Sequence, residues 1–339
     1  MDRIQKYILS NLSTLFLSIF MPLFSIASII FLIKLATYTA VIQLSILDMT
    51  KLYIFVLPEI LFYTLPVTFF IAATLALFKL SNDNEIVVLF SLGIEPKFII
   101  KTLLKPAMLL SAVLLVDFLV LFPHATVVAD NFKEYKKSEA KFNLSASEFG
   151  HSFGDWLLYL GKENIDGSYS KVFLFNKKKK EEILIAAKRA EIINDSGILR
   201  LKLIDGEGYS YSKDNFSQIN FKTMFINDTM ETDLTVYRKP LEYWLSNDRR
   251  ESKKHMLITD TLLSLFPVLS LFLVAAIGIV HVRHQKSRVY LYLFLGVSLF
   301  YGATLGLQGL LGYYTIGAVA LTWIVATYTL YRKNIVNRF

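Results

Sequence analysis

Four ionisable side chains lie inside or at the edges of long apolar stretches: Lys34, Glu59, Asp117 and Asp260. Charge is costly in hydrocarbon, so each must be paired, wetted or carried to an interface, and each is a candidate for transport or binding chemistry. Two more acids, Asp83 and Glu85, open a short segment whose body is apolar. Catalytic patterns are missing. The chain has no cysteine, which excludes a disulfide framework and a thiolate metal site, and its five histidines are scattered. His151 and Asp155 are close, but no serine or cysteine elbow accompanies them. No catalytic residue and no metal site are therefore expected. No G-x-x-x-x-G-K-[ST] loop occurs either, so no nucleotide or other cofactor is expected on this chain.

The elements that carry these residues follow from hydropathy. Apolar residues make up 54% of the chain and mean hydropathy is +0.46, so much of it belongs in lipid. About 20 apolar residues span a bilayer as a helix. Six stretches meet that length: 12–35, 53–78, 103–123, 257–281, 289–308 and 311–331. The first is too long for a signal-peptide core and lacks a small-residue cleavage site. Pro22, Pro58, Pro66 and Pro267 lie inside or at the ends of spans, where neighbouring helices tolerate a kink.

Short-loop cations set the orientation. Arg3, Lys6, Lys79, Lys97, Lys101, Lys105, Arg283, Lys286, Arg288, Arg332, Lys333 and Arg338 fall on one side, against Lys34 and Lys51 on the other. Both termini are therefore expected in the cytoplasm and the middle of the chain outside it. The net charge of +8 is mostly this topology signal, and no nucleic-acid partner is expected. With the topology set, Lys34, Glu59, Asp117 and Asp260 all fall in the outer parts of their spans. Interfacial snorkelling accounts for Lys34 and Asp260. Glu59 and Asp117 reach less far and suit a polar vestibule open to the outer leaflet. There Lys34 would meet the phosphate or sugar acid of a lipid head group as a point charge.

The organisation expected is a membrane half over 1–125, an inserted β domain with connectors over 126–252, and a second membrane half over 253–339. Within the insert the pattern turns to strands: 155–161, 170–176, 182–190, 198–204, 208–212, 217–226 and 235–237. Breakers at Asp166-Gly167, Asp195–Gly197 and Asp205-Gly206 separate several of them. Leu199, Leu201 and Leu203 alternate with Arg200 and Lys202, giving one apolar and one wet face. The run Lys177–Lys180 reads as a solvated turn. The segments 130–145 and 240–252 read as helical connectors.

Between spans two and three lies Ser81-Asn-Asp-Asn-Glu-Ile-Val-Val-Leu-Phe-Ser-Leu-Gly93. Asn82 and Glu85 have capping-box spacing, Gly93 suits the residue past a helix end, and Pro96 suits the next helix start. A helix over about 83–92 is expected on the cytoplasmic side. A helix that lies on lipid is usually basic on its polar face. This one carries Asp83 and Glu85 ahead of an apolar body (Ile86, Val87, Val88, Leu89, Phe90), so a protruding helix that docks into a partner's groove fits it better.

These features together resemble the LptF/LptG family of lipopolysaccharide export permeases. The 81–93 segment is similar to that family's coupling helix, S-x-x-x-E-(I/L)-x-x-(L/M)-x-x-x-G. Leu57-Pro-Glu-Ile-Leu61 with Leu65-Pro66 resembles its second span. Lys171-Val-Phe-Leu-Phe175, Ala186-Ala-Lys-Arg-Ala-Glu191 and Leu203-Ile-Asp-Gly206 resemble its strand motifs. The resemblance covers nearly the whole chain. Lys253–Met256 and His281–Arg288 depart from it, which leaves F-type against G-type open. It implies a polytopic helical membrane protein of six spans with an inserted periplasmic jelly-roll-like β domain. It also implies pairing with a paralogous permease subunit in an LptF/LptG heterodimer, on a cytoplasmic LptB-like ATPase dimer that binds the ATP. Lipopolysaccharide would leave the outer leaflet of the inner membrane through a gate at spans one and five. It would then pass to a single-span LptC-like protein and an LptA-like bridge. By resemblance, Glu85 with Asp83, Leu89, Phe90 and Gly93 would couple to the ATPase. Two other classes share parts of the layout: a secondary transporter of a small solute, which would carry its charges at the midplane, and a membrane sensor or scaffold with an outer ligand-binding domain.

Overall fold

The computed structural model describes residues 2–39, 44–141, 149–153, 156–164, 166–178, 181–195, 198–212, 215–227, 240–245, 250–280 and 288–337. By contacts, the chain divides into two compact units. One comprises Met1–Tyr38, Ser45–Ala129 and Tyr237–Phe339, and the other Thr39–Leu44 and Asp130–Val236.

The first unit is helical. Its elements are α1 (Asp2–Thr39), α2 (Ile46–Asn82), α3 (Glu85–Ser91) and α4 (Pro96–Val116), then a π-helical turn over Asp117–Leu121 and the start of α5 (Phe122–Lys141), whose residues from Asp130 on belong to the second unit. After the insert come α6 (Pro240–Leu245), α7 (Arg250–Leu269), α8 (Leu271–Gly278), α9 (Val289–Leu311) and α10 (Tyr314–Tyr331), which ends in a second π-helical turn. Ser45 starts α2 with a capping box: its hydroxyl takes the Asp48 N–H while the Asp48 carboxylate takes the Ser45 N–H.

Among the described residues, α1, α2, the α4–α5 run, α9 and α10 are each long and apolar enough to cross a membrane. The stretch 257–281, expected as one straight span, is broken: α7 and α8 meet at 47°. The cause is local. Pro267 has no N–H and its ring crowds the preceding turn, and Ser270 separates the two helices. Counted as one bent span, the pair completes six.

The helical core forms around α2, α7 and α8. Phe70, Leu77, Leu80, Leu262, Phe266, Val274 and Phe300 all sit within it at 1% exposure or less. Helices α2 and α8 approach closely at Gly278, where a Cβ would stand 2.7 Å from Leu77 Cβ and 2.8 Å from the Thr74 carbonyl. Helix α1 is different. Only 6% of its most apolar eighteen residues are buried, against 61% for α2.

The second unit is an antiparallel β domain, as expected. Its strands are β1 (Phe149–Phe153), β2 (Trp156–Tyr159), β3 (Tyr169–Lys178), β4 (Glu181–Asp195), β5 (Ile198–Ser212) and β6 (Asn215–Asn227). They pair in chain order as a six-stranded meander, a strand order the sequence did not disclose. The expected strands 198–204 and 208–212 are one strand, because Asp205-Gly206 bends β5 rather than ending it. The expected strand at 235–237, the 196–197 turn, Asp155 and most of the 281–288 loop lie outside the described residues.

One row of residues shapes this sheet. The pairing of β3 to β6 passes over Lys171, Lys188, Asp205 and Lys222 while the flanking residues remain in register. Lys171 (φ 55°) and Asp205 (φ 52°) adopt left-handed backbone there. Across the row the alternation changes phase in each strand: Tyr169 against Val172 and Leu174, Ala187 against Ala190, Leu203 against Gly206, Phe221 against Met224. A one-residue slip normally swaps the two faces of a strand. Made by four neighbouring strands together, it keeps the same apolar face inside on both sides of the bend. The buried cluster of Leu158, Val172, Leu174, Ile185, Ala187, Leu201, Leu203 and Ile226 results.

Candidate functional site

Helix α3 is held at both ends by backbone geometry. It starts at Asn84, whose backbone is left-handed (φ 59°) and whose side chain makes no capping bond. The capping box expected from Asn82 and Glu85 is therefore absent. Asn82 is the last residue of α2, and Asp83 caps that helix by donating its N–H to the Lys79 and Ser81 carbonyls. At the other end, Gly93 N–H bonds the Phe90 carbonyl at 3.0 Å and Ile94 N–H the Leu89 carbonyl at 3.1 Å. With Gly93 at φ 84°, this is a Schellman ending. Pro96 then opens α4, as the sequence predicts. The helix has seven residues, fewer than the ten expected, because the left-handed Asn84 delays its start.

Packing orients what α3 displays. Ile86 is 1% exposed and belongs to the membrane-unit core, and Phe90 packs against the same core. Leu89 is half-buried, Val88 and Leu92 are exposed, and Asp83 is exposed. Thus α3 is anchored by its apolar side and offers acids and apolar edges outward. The end of α2 just before it is fixed by Ser81, whose buried hydroxyl donates to the Gly278 carbonyl (3.0 Å) and accepts from the Val280 N–H (3.3 Å). Glu85 Oε1, not used in a cap, accepts a hydrogen bond from the Tyr7 hydroxyl of α1 at 2.9 Å. Sequence reasoning missed both Tyr7 and Ser81. They lie 78 and 197 residues from their partners; no local pattern marks Tyr7, and the motif that contains Ser81 does not disclose its bond to Gly278.

Of the four ionisable span residues, Glu59 and Asp260 come close enough to interact across α2 and α7 around Tyr63, and Lys34 and Asp117 are not joined to them in the described contacts. Lys34 is exposed near the end of α1, and Glu59 is exposed on α2. Asp117 is buried at the start of the π-helical turn after α4, next to Phe118, whose ring meets Phe62 at a tilt (6.0 Å) and Trp244 edge-on (4.9 Å). The Trp244 indole N–H donates to the Leu119 carbonyl within the same turn at 3.2 Å. Asp260 is 2% exposed, so interfacial snorkelling does not describe it. It accepts a long hydrogen bond of 3.5 Å from Tyr63 of α2. Its immediate chain neighbour Thr259 donates to Gln308 of α9 at 2.9 Å. Polar contacts therefore tie α7 to both α2 and α9. Asp260 carried a sequence signal as an acid in a span, whereas Tyr63, Thr259 and Gln308 did not.

On α9, Gly296 packs against Leu273 and Phe70, with 3.1 Å from a built Cβ to each, so it is a helix–helix contact inside this chain. Gly302, Gly306 and Gly309 have open space where a Cβ would stand. No group of three or more metal-ligating side chains occurs among the described residues.

A comparison with curated proteins finds no match. The family model described as lipopolysaccharide export system permease LptF/LptG matches residues 6–331 of the 339. The helical spans, the inserted antiparallel sheet and this match over nearly the full length agree, and the chain belongs to that family, as a lipopolysaccharide export permease of the inner membrane.

Proposed function

We propose that the chain is the membrane subunit of an ATP-driven complex in which α3 receives the motion of a separate LptB-like ATPase dimer. The observation that carries this reading is the build of α3. It is a short helix locked between α2 and α4, rooted in the core through Ile86, with Asp83 and Glu85 at its outward start. An acidic knob on a rigid neck suits a basic groove on a partner, since charge complementarity steers and fixes docking. Leu89 and Phe90 would supply the apolar part of that contact and Gly93 its fixed exit. Because the sequence has no phosphate-binding loop, the ATP would sit on the partner.

The orientation that goes with this reading places α3 and both termini in the cytoplasm and the β domain in the periplasm. A second, paralogous permease subunit would complete the LptF/LptG pair. The α9 surface with Gly302 and Gly306 and the sparsely packed α1 are the faces left open for it and for a lipid gate. Exposed Lys34 would touch the phosphate of the leaving lipopolysaccharide. Glu59 and Asp117 would be polar vestibule groups, reaching the anionic lipid through a divalent cation or bonding between helices. The apolar inner face of the sheet would take acyl chains. Its terminal strands β1 and β6 offer edges to LptC-like and LptA-like partners by strand pairing.

Co-purification of the tagged permease complex from membranes tests the reading. The ATPase subunit is expected with the wild type and lost with Glu85→Lys, which reverses the charge at the contact. Retention of the ATPase by Glu85→Lys, with a normally folded permease, rules out α3 as the contact.

A further inference from the structure

The assignment of α3 as the ATPase contact leaves open how a push there reaches α1, the helix with the least packing in the bundle. We propose that the Tyr7 hydroxyl is the positioning group that ties Glu85 of α3 to α1, so that a partner cation engaging Glu85 displaces or shares this bond and re-seats α1. This inference rests on the docking role of α3.

Helix α1 is a 38-residue rod held at few points. Its buried side chains are Ile8 and Leu12 near the start and Ser28 and Leu35 toward the far end. Two side-chain hydrogen bonds to other elements pin it among the described residues. Tyr7 bonds Glu85, and Ser28 bonds the Tyr53 hydroxyl of α2 at 2.9 Å. Tyr7 and Ser28 are 21 residues apart, about 31 Å at 1.5 Å per residue. Between the pins, Phe16, Phe20 and Phe24 stack along the helix itself, at 5.9 and 5.4 Å, and Phe16 is only partly buried against the core. An element with so little burial is moved by small changes in its few contacts, whereas α2, buried over most of its length, is not.

Glu85 is well placed to be contested. It stands directly after the left-handed Asn84, makes no capping bond, and has exposed Asp83 two residues away. An arginine of a partner takes a carboxylate through both oxygens in its preferred geometry. One of those oxygens, Oε1, is the atom that Tyr7 holds. Docking a guanidinium therefore brings a second, charged donor onto the oxygen that Tyr7 holds, so the two donors must share or contest it. The competition converts a change at the partner surface into a change at the foot of α1, whose opposite end carries Lys34.

The test uses the whole permease–ATPase complex in proteoliposomes. Tyr7→Phe removes one hydroxyl from a half-exposed side chain and spares the fold. Two quantities are read: lipopolysaccharide released per ATP hydrolysed, and the distance between spin labels on Gln5→Cys in α1 and Val88→Cys in α3. Tyr7→Phe is expected to keep the ATPase bound, lower lipid per ATP severalfold and broaden the α1–α3 distance distribution. Glu85→Gln retains an acceptor for Tyr7 and is expected to keep the narrow distance while weakening ATPase binding. Unchanged lipid per ATP and unchanged distances in Tyr7→Phe overturn the inference. If Glu85→Lys still sheds the ATPase in that case, the docking reading stands without it. If Glu85→Lys retains the ATPase, the docking reading falls and takes the inference with it.

Discussion

Gly93 shows how much of the site one residue can decide. Its backbone at φ 84° closes α3 and turns the chain into Pro96, and a Cβ built there meets nothing within 4 Å. A substitution thus isolates backbone strain from packing. Gly93→Ala is expected to cost about 1–2 kcal/mol, the penalty of a left-handed residue with a Cβ. Gly93→Asn should cost less, because asparagine visits that region more readily. Thermal unfolding of the purified complex measures the difference. Equal losses for the two variants would show that something other than φ is responsible. Gly93 and Pro96 were legible in the sequence because their work is local. Glu85 was legible as a position but not in its partner: the spacing to Asn82 pointed to a cap, and the structure gives the carboxylate to Tyr7. Asp260 was legible as an acid in a span but not as a buried one. Its burial depends on α2 and α9, which lie far from it in the chain.

Among elements, the sheet departs most from what periodicity could tell. Alternation identified β2 to β6 and the apolar face, since β3 to β6 obey period two on either side of the bend, but it missed β1, whose Phe149–Phe153 has no clear alternation. It could not show that Lys171, Lys188, Asp205 and Lys222 line up in one row, because register between strands is not written in any single strand. Read alone, Asp205-Gly206 looked like a terminator. In the sheet, Gly206 leaves room for its neighbours: a Cβ there would stand 2.4 Å from the Ala186 carbonyl and 2.5 Å from the Phe221 ring. Two residues on, a Cβ at Gly208 meets nothing nearer than 3.9 Å. Gly206→Ala is therefore expected to destabilise the protein by about 1–3 kcal/mol, the usual cost of forcing extra volume into a packed site. Gly208→Ala should change stability by less than about 0.5 kcal/mol. Resistance of the β domain to limited proteolysis in the full-length protein separates the two. The same reversal of expectation holds for the span 257–281. Pro267 signalled a possible kink; the structure makes it a 47° break between α7 and α8, with α8 seated tightly against α2 at Gly278.

For the molecule as a whole, the proposed direction of transport depends on which face of the membrane α3 occupies. The cations give one answer. Arg3 and Lys6 begin α1, Lys79 ends α2, Lys97, Lys101 and Lys105 begin α4, Arg288 precedes α9, and Arg332 and Lys333 follow α10. The helices alternate in direction, so these residues gather at the α3 end, while the α9–α10 turn at Gly312-Tyr313 lies at the other. Cationic short loops are retained in the cytoplasm, and the proposed orientation accordingly puts α3 on the side of the ATP supply and the inserted sheet outside the cytoplasm. The native chain has no cysteine, so a single introduced thiol reports its own side without background. In intact spheroplasts, a membrane-impermeant maleimide is expected to label Lys171→Cys on the sheet and Tyr313→Cys at the α9–α10 turn. Ser91→Cys on α3 should react only after the membrane is permeabilised. All three native residues are exposed, so access rather than burial decides the outcome. The reverse pattern would put α3 out of reach of a cytoplasmic ATPase and would remove the basis for reading Glu85 as its contact.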